Sequence, residues 1–306
     1  MSQTVIDQIQ DLKRKRRAVI LAHNYQIGEV QDIADFCGDS LQLSRQAAAT
    51  DAKVIVFCGV AFMAETAAIL SPDKTVLLPD KHAGCPMADM ITAEQLAEKK
   101  RQHPDALVVA YVNSPAAVKA LCDYCCTSGN AVELVESLPK DRPILFVPDR
   151  YLGQFVIDKT GRDMILWPGY CPTHVRMDPR QIQGLKEQYP DAEVLCHPEC
   201  TEPVKALSHQ ILSTGGMLKW IPQSSARRFI VCTEEGILHT MRKKFPDRQF
   251  VTLPNPPICP NMKKITLEKV AWSLEDMQHV ITVPENIRIP AKQALDRMLD
   301  IMPKGG

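Results

Sequence analysis

The sequence predicts an α/β protein built from three similar three-layer α/β/α domains, whose parallel sheets surround a pseudo-threefold axis with the active site at its centre. The first observation is that a cysteine followed directly by proline occurs three times, at Cys85, Cys171 and Cys259, at intervals of 86 and 88 residues. The second is that short apolar runs rich in valine, isoleucine and leucine alternate with segments of helical period, a pattern typical of buried parallel strands joined by helices. Three such distant loops can meet only if similar units pack around one centre.

The repeat extends beyond the cysteines. The first apolar run of each unit reaches an equivalent position, with offsets of 88 and 86 residues, at His23, Tyr111 and His197. A hydroxyl residue follows with the same two offsets, at Ser40, Ser128 and Thr214. Self-similarity at a fixed period is a strong signal of a repeat architecture, although this period exceeds those of ordinary solenoids. We therefore expect three copies of one α/β module.

The spacing of apolar residues predicts the strands and helices of the first unit. Apolar runs at 18–25, 54–57 and 75–78 predict three buried strands. The spacing of Val30, Ile33, Leu41 and Leu43 indicates helical structure between the first two strands. The segment 62–70 is typical of a helix that ends at Ser71 and Pro72. The other two units repeat this order.

The units can be delimited along the chain. We expect an N-terminal helix over 1–17, repeat units over 18–103, 104–189 and 190–275, and a C-terminal segment over 276–306. The last residues, 303–306, are expected to form a disordered tail.

Composition argues against several classes of partner. Lysine plus arginine and aspartate plus glutamate both number 36 in 306 residues, so no net field recruits nucleic acid or an anionic membrane. No stretch approaches the roughly 18 apolar residues of a membrane span, and no signal peptide opens the chain. No G-x-G-x-x-G fingerprint of a dinucleotide site is present. We expect a cytoplasmic protein that acts on small molecules.

The eleven cysteines indicate metal ligands, reactive thiols and core residues rather than disulfides. The three Cys-Pro cysteines are the candidate ligands, since thiolates suit iron–sulfur clusters and a following proline stiffens the loop. Three thiolates around a four-iron cluster leave one iron open for Lewis-acid chemistry. Cys122 and Cys125 form a competing C-x-x-C element, but no second pair completes a zinc site. We interpret them as packing residues or a redox-sensitive thiol pair.

The equivalent hydroxyl residues Ser40, Ser128 and Thr214 lie where each could cap a helix. Helix N-termini also bind phosphate and carboxylate, because their backbone N–H groups are free. The glycines beside Ser128 and Thr214 allow a close approach of the backbone to an anion. The pattern therefore favours a small substrate with several negative charges.

Proton-transfer residues cluster at the predicted strand ends. They are His23, Tyr25, Tyr111, His174, His197 and Glu199. Side chains of these types at equivalent ends of repeated modules favour catalysis over core packing. Glu199 is the best candidate for a base, and we expect burial in a closed cleft to raise its pKa. His174, three residues after Cys171, is expected beside the metal centre.

Long, ordered motifs run from about residue 20 to residue 265. They include Ala22-His23-Asn24-Tyr25-Gln26, Gly84-Cys85-Pro86-Met87-Ala88, Cys126-Thr127-Ser128-Gly129-Asn130, His197-Pro198-Glu199-Cys200 and Cys259-Pro260-Asn261-Met262. In these motifs the chain resembles the quinolinate synthase family, the A protein of bacterial pyridine-nucleotide synthesis. The sequence lacks the C-x-x-C-x-x-C triplet found near the third ligand in some relatives, so a thiol switch built on it is not expected.

The resemblance implies an oxygen-sensitive 4Fe-4S transferase that condenses iminoaspartate (iminosuccinate) with dihydroxyacetone phosphate, giving quinolinate, phosphate and water in de novo NAD biosynthesis. It places the cluster on Cys85, Cys171 and Cys259. It places substrate binding on His23, Ser40, Tyr111, Asn113, Ser128, His197, Glu199 and Thr214. Catalysis would fall to Glu199, Tyr25, His23 and His174. Functional coupling to L-aspartate oxidase is a further expectation.

Two other interpretations remain open from the residues alone. One is a redox sensor or scaffold whose cluster or zinc ion is structural. The other is a zinc hydrolase that uses His23, His197 and Glu199 as a two-histidine, one-carboxylate ligand set. Metal content and an open coordination position would distinguish these interpretations from the synthase.

Overall fold

The computed structural model describes residues 2–301, so the expected tail at 303–306 lies outside the described residues. The chain begins with helix α1 (Ser2–Arg16) and continues with three sheets. The first unit contains β1 (Ala18–His23), α2 (Gly28–Ile33), β2 (Phe36–Gly38), α3 (Ser40–Ala49), β3 (Val54–Cys58), α4 (Ala61–Leu70) and β4 (Thr75–Leu77). Helix α5 (Ala93–Gln102) leads to the second unit.

The second and third units repeat this pattern. The second contains β5 (Leu107–Tyr111), α6 (Ala116–Lys119), β6 (Tyr124–Cys126), α7 (Ala131–Ser137), β7 (Ile144–Val147), α8 (Arg150–Thr160), β8 (Met164–Leu166), α9 (Pro172–Val175) and α10 (Pro179–Gln188). The third contains β9 (Glu193–Cys196), α11 (Glu202–Ala206), β10 (Gln210–Ile211), α12 (Thr214–Trp220), β11 (Arg228–Cys232), α13 (Ile237–Lys244) and β12 (Gln249–Val251). Helices α14 (Leu267–Asp276) and α15 (Glu285–Leu299) follow.

The three sheets share one topology. Their strand orders are β2-β1-β3-β4, β6-β5-β7-β8 and β10-β9-β11-β12, and every pairing within them is parallel. The central strands even keep equivalent register, with the pairs Ala22↔Cys58, Ala110↔Val147 and Cys196↔Cys232. The predicted fold class, three α/β units with parallel sheets, is confirmed.

The sequence analysis predicted three strands in each unit, whereas each sheet has four. The additional strands are β2, β6 and β10, which lie at one sheet edge and span only two or three residues. Such short segments carry too few side chains for an apolar period to appear. Each of these strands is followed within three residues by the equivalent hydroxyl residue of its unit, Ser40, Ser128 or Thr214.

The ends of the chain are packed onto the units. Helix α1 contacts α14, and the Arg16 guanidinium donates to the carbonyl of Leu274. Helix α15 contacts α4, α6 and β6, and the Asn130 side-chain amide donates to the Met298 carbonyl at 3.1 Å. Along residues 2–301 no helix is both long enough and apolar enough to cross a bilayer.

Candidate active site

The carboxyl ends of the central strands lead into one cavity. Its walls contain every side chain that the sequence analysis assigned to catalysis, substrate binding or metal binding: His23, Tyr25, Ser40, Cys85, Tyr111, Asn113, Ser128, Cys171, His174, His197, Glu199, Thr214 and Cys259. Ligands of parallel α/β sheets bind beyond this edge, because loops and helix N-termini converge there. All three units therefore contribute to one site.

The three Cys-Pro loops have the same local geometry. The backbone carbonyls of Cys85, Cys171 and Cys259 each accept a hydrogen bond from the N–H four residues later. Backbone N–H groups two or three residues further on also face the sulfurs, those of Met87 and Ala88, of His174, and of Asn261 and Met262. Each loop is thus a short helical turn that presents its sulfur to the cavity.

The protonation of these sulfurs depends on whether they bind a metal centre. Burial, and beyond it the nearby Glu199 and Cys259, raises the pKa of Cys85 to about 12. Burial also raises the pKa of Cys171, with Glu199 and Cys85 adding to the effect, and it raises the pKa of Cys259. Three thiolates placed together without a cation would repel each other. A bound metal centre reverses this, because coordination deprotonates a thiol outright, so this donor set suits a soft metal centre.

Glu199 is the hub of the acid–base residues. Tyr111 donates its hydroxyl to Oε1 at 2.7 Å, and the Asn113 amide lies 3.4 Å from the same oxygen. On the other side, His174 Nδ1 lies 2.7 Å from Oε2 and 3.2 Å from the sulfur of Cys171. The carboxylate is 3 % exposed, so these contacts replace its hydration. Glu199 belongs to the third unit, and side chains of the second unit hold both of its oxygens.

The expectation that burial raises the pKa of Glu199 is wrong. Burial does act in that direction, but His174 and the hydrogen bonds from His174 and Tyr111 outweigh it and hold the pKa below the usual range of a carboxyl. Donors that converge on a carboxylate favour its charged form. Glu199 is therefore an ionised hydrogen-bond acceptor at neutral pH.

The ring nitrogens of His23 and His197 make equivalent hydrogen bonds in the first and third units. In each case the backbone N–H two residues later, that of Tyr25 or of Glu199, donates to ring Nδ1 at 3.1 or 3.3 Å. With Nδ1 accepting, a neutral ring carries its proton on Nε2, and Nε2 of His197 lies 3.1 Å from the Ser128 hydroxyl. Burial lowers the pKa of both histidines to about 3, although Glu199 opposes this. Both rings are neutral Nε2–H donors.

This geometry predicts a loss of stability in mild acid. A histidine in the unfolded chain has a pKa of about 6.5, so below that pH it binds a proton. In the folded protein His23 and His197 remain unprotonated over the same range. Stability is then lost as the pH falls from about 6.5 toward 3, by roughly 2 kcal/mol for each histidine at pH 5. Chemical denaturation of the metal-free protein at pH 7 and pH 5 measures the difference. His197→Gln should reduce it and the exposed His82→Gln should not; equal losses in all three proteins would contradict the assignment.

The equivalent hydroxyl residues line the cavity, but they are not the helix caps that the sequence analysis expected. They are Ser40, Ser128 and Thr214. Asp39 caps α3 and Ser213 caps α12, which places Ser40 and Thr214 at the first helical position instead. Ser128 lies before Asn130, the N-cap residue of α7. The Thr214 hydroxyl accepts from the Asn24 amide at 3.0 Å. The hydroxyls of Ser40 and Thr214 are thus available to a ligand, because Asp39 and Ser213 perform the capping.

The C-x-x-C element lies away from this site. Neither Cys122 nor Cys125 lines the cavity, and Cys125 is fully buried in β6. The Cys122 thiol donates to the Val118 carbonyl at 3.1 Å, and burial raises the pKa of both thiols. Their positions agree with the packing interpretation.

The sequence analysis missed a group of residues in and directly behind the cavity wall, of which Glu234 lines the cavity. Glu234 accepts the backbone N–H of Cys259 at 3.0 Å and pairs with Lys263 at 2.8 Å, while Lys263 donates to the carbonyl of Tyr25 at 2.7 Å. This clamp joins the third cysteine loop to the end of β1. The adjacent Thr233 contacts both Tyr25 and His174. The position of Thr233 and Glu234 directly after β11, at the carboxyl edge of a central strand, was the signal that could have found these two residues.

Comparison with known proteins agrees with this site. The family model described as "Quinolinate synthetase A protein" matches residues 7–300. A relative named quinolinate synthase from Dehalococcoides mccartyi (strain CBDB1) is 54% identical over 294 residues, covering 96% of this chain and 97% of the relative. Quinolinate synthase from Geotalea uraniireducens (strain Rf4) is 55% identical over 294 residues, covering 96% of each chain. That from Geobacter metallireducens (strain GS-15) is 54% identical over 298 residues, covering 97% of this chain and 98% of the relative. The chain belongs to the quinolinate synthetase A protein family of enzymes.

Proposed function

We propose that this enzyme condenses iminoaspartate with dihydroxyacetone phosphate to give quinolinate, phosphate and two waters. The observation that carries the proposal is the convergence of three cysteines, neutral donors and an ionised carboxylate from all three units on one cavity. The family membership adds the identity of the product. In a cell we expect the reaction to run in the cytoplasm and to be coupled functionally to L-aspartate oxidase.

The proposed cofactor is a 4Fe-4S cluster held by Cys85, Cys171 and Cys259. These are the cysteines that line the cavity among residues 2–301, and thiolates are the ligands that such clusters take. With three protein ligands, the cluster would supply an open iron that acts as a Lewis acid on a substrate oxygen. Glu234 and Lys263 support this arrangement, because they fix the backbone of the third loop.

The remaining residues bind and orient two anionic substrates. Neutral Nε2–H groups of His23 and His197 donate hydrogen bonds to carboxylate oxygens without adding a fixed positive charge. The hydroxyls of Ser40, Ser128 and Thr214 supply further contacts for carboxylate and phosphate. Helix α3 begins at Ser40, so its partial positive end faces the same region. Burial of the cavity strengthens each of these interactions by excluding water.

Proton transfer is assigned to Glu199 and the two tyrosines. An ionised Glu199 can take a proton from carbon or nitrogen as the ring forms. Burial, reinforced by Glu199, raises the pKa of Tyr25 and of Tyr111, so both phenols keep their protons at neutral pH. Loss of each water needs a proton on the departing oxygen, and these phenols are the acids within the cavity wall.

A zinc centre is the second candidate, because ligand atoms of Cys171, His174 and Glu199 all lie within 4.8 Å of one another. Metal analysis of anaerobically purified protein separates the two. We expect about four irons and four sulfides per chain, and loss of quinolinate formation when the iron is removed by a chelator. Quinolinate made from the two substrates is measured by mass spectrometry. Zinc at one per chain, with neither iron nor sulfide, would contradict the proposal.

A further inference from the structure

The protein surface around the three Cys-Pro loops exposes apolar side chains. The residues that directly precede the three cysteines are Gly84, Tyr170 and Ile258. Tyr170 is 37 % exposed and Ile258 is 44 % exposed, and they are two of the five large hydrophobic residues that are exposed among residues 2–301. A Cβ added at Gly84 would meet no atom within 4 Å, so the third equivalent position borders open space. Each proposed ligand therefore lies one residue from the surface.

The three loops contact one another, so these positions belong to a single surface. The backbone N–H of Tyr170 in the second loop lies 3.4 Å from the sulfur of Met90 in the first. Lys264 Nζ in the third loop donates to the carbonyl of His82 in the first at 2.7 Å. The first loop thus joins the other two. We call the surface formed by the three residues before the cysteines the loop face.

The loop face carries an excess of positive charge, although the whole chain has none. Its exposed cations are Lys81, Arg150 and Arg176. The guanidinium of Arg150 lies 5.9 Å from the centre of the Tyr170 ring, directly beside the apolar residues. Asp80 pairs with Lys269 at 2.6 Å, which leaves Asp89 as the exposed acid of the three loops. Such a face attracts an acidic partner and repels a second copy of itself.

The chemistry of the site indicates what an acidic partner would carry. Condensation of the two proposed substrates is redox-neutral, so the metal centre needs no electron donor. It does need iron and sulfide, and the thiols that take them up lie beneath this face. A 4Fe-4S cluster can move intact by exchange of ligands, without a change of oxidation state. Three thiols of this chain release their protons as their sulfurs bind iron, and the thiolates that the donor loses take up protons.

We propose that the loop face docks an acidic protein that carries a 4Fe-4S cluster and delivers this cluster to Cys85, Cys171 and Cys259. Tyr170 and Ile258 form the apolar centre of the contact, because aromatic and aliphatic side chains that are exposed together favour burial against a partner. The surrounding cations steer the acidic carrier onto the face. The inference rests on the proposed function, since it assumes that these cysteines bind the cluster.

The test compares two ways of loading the metal-free chain. One supplies an acidic A-type carrier protein loaded with a 4Fe-4S cluster, together with an iron chelator that captures any released iron. The other supplies ferrous iron and sulfide without a carrier. The iron and sulfide contents of the chain are measured over time, after the two proteins are separated.

Ile258→Asp should slow transfer from the carrier about tenfold, because it removes an apolar contact and repels an acidic partner, and loading from free iron and sulfide should stay within about twofold. Ile289→Asp, at a similarly exposed residue of α15, is the matched control. Lys81→Glu combined with Arg176→Glu should also slow transfer and weaken its dependence on ionic strength. Lys140→Glu, exposed between α7 and β7, is the control for this pair.

Equal transfer rates in Ile258→Asp and Ile289→Asp would overturn the inference. If the loop-face variants slow both ways of loading equally, the face forms the metal site and docks no carrier, so the inference is again wrong. The same holds if the unsubstituted protein is a dimer that Ile258→Asp dissociates, or if it loads from free iron and sulfide but not from the carrier. The proposed cofactor survives each of these outcomes. A chain that binds no iron and sulfide by either way contradicts both proposals.

Discussion

Replacing Cys171 by serine is expected to remove the brown cluster and to reduce quinolinate formation to below about one-thousandth of its normal rate. Metal stabilisation of transition-state charge is worth several kcal/mol, and each 1.4 kcal/mol changes the rate tenfold. A serine oxygen is harder and far less acidic than a thiol, so it does not replace the third ligand. Visible absorbance, iron and sulfide content, and quinolinate yield are measured on anaerobically reconstituted protein.

The fold should survive this substitution. Cys171 occupies the N-cap position of α9, where serine is among the preferred residues. The matched control is Cys122→Ser, because a serine hydroxyl can make the same bond to the Val118 carbonyl outside the cavity. We expect that control to retain both cluster and turnover. Full activity in the Cys171 variant would exclude this sulfur as a required ligand.

Glu199→Gln is expected to keep the cluster and to lower kcat by about 10²- to 10⁴-fold, the range of general acid–base catalysis. Glutamine preserves the shape of the side chain but has no charge and cannot take a proton. Its amide also offers an N–H group toward either Tyr111 or His174, both of which donate to the carboxylate in the structure. Turnover and iron content are the two measurements.

The control for this substitution is Glu193→Gln. Glu193 accepts hydrogen bonds from Trp220 and Ser224 away from the cavity, so its charge is not used in the reaction. Unchanged turnover in the Glu199 variant would remove this residue from the mechanism. Loss of the metal together with activity would instead favour the centre that Cys171, His174 and Glu199 could form.

Much of this architecture could be predicted because the three units have recognisably similar sequences. One period relates the cysteines, the first strand ends and the hydroxyl residues, and a shared fold places equivalent residues at equivalent sheet edges. The fourth strand of each sheet was not predicted, since two or three residues carry no measurable period. The caps were misassigned by one residue or more, because the sequence places several capping side chains side by side.

By itself the sequence determined the three-unit fold, and it predicted the three cysteines and the types of side chain that line the cavity. The tertiary structure alone decided how those side chains are charged and oriented. Glu199 stays ionised because donors from the second unit converge on this carboxylate of the third unit, and Thr233 connects Tyr25 to His174 although these residues are far apart in the chain. Proton affinities and hydrogen-bond directions depend on distances of a few ångströms between such residues, and a linear pattern does not encode those distances.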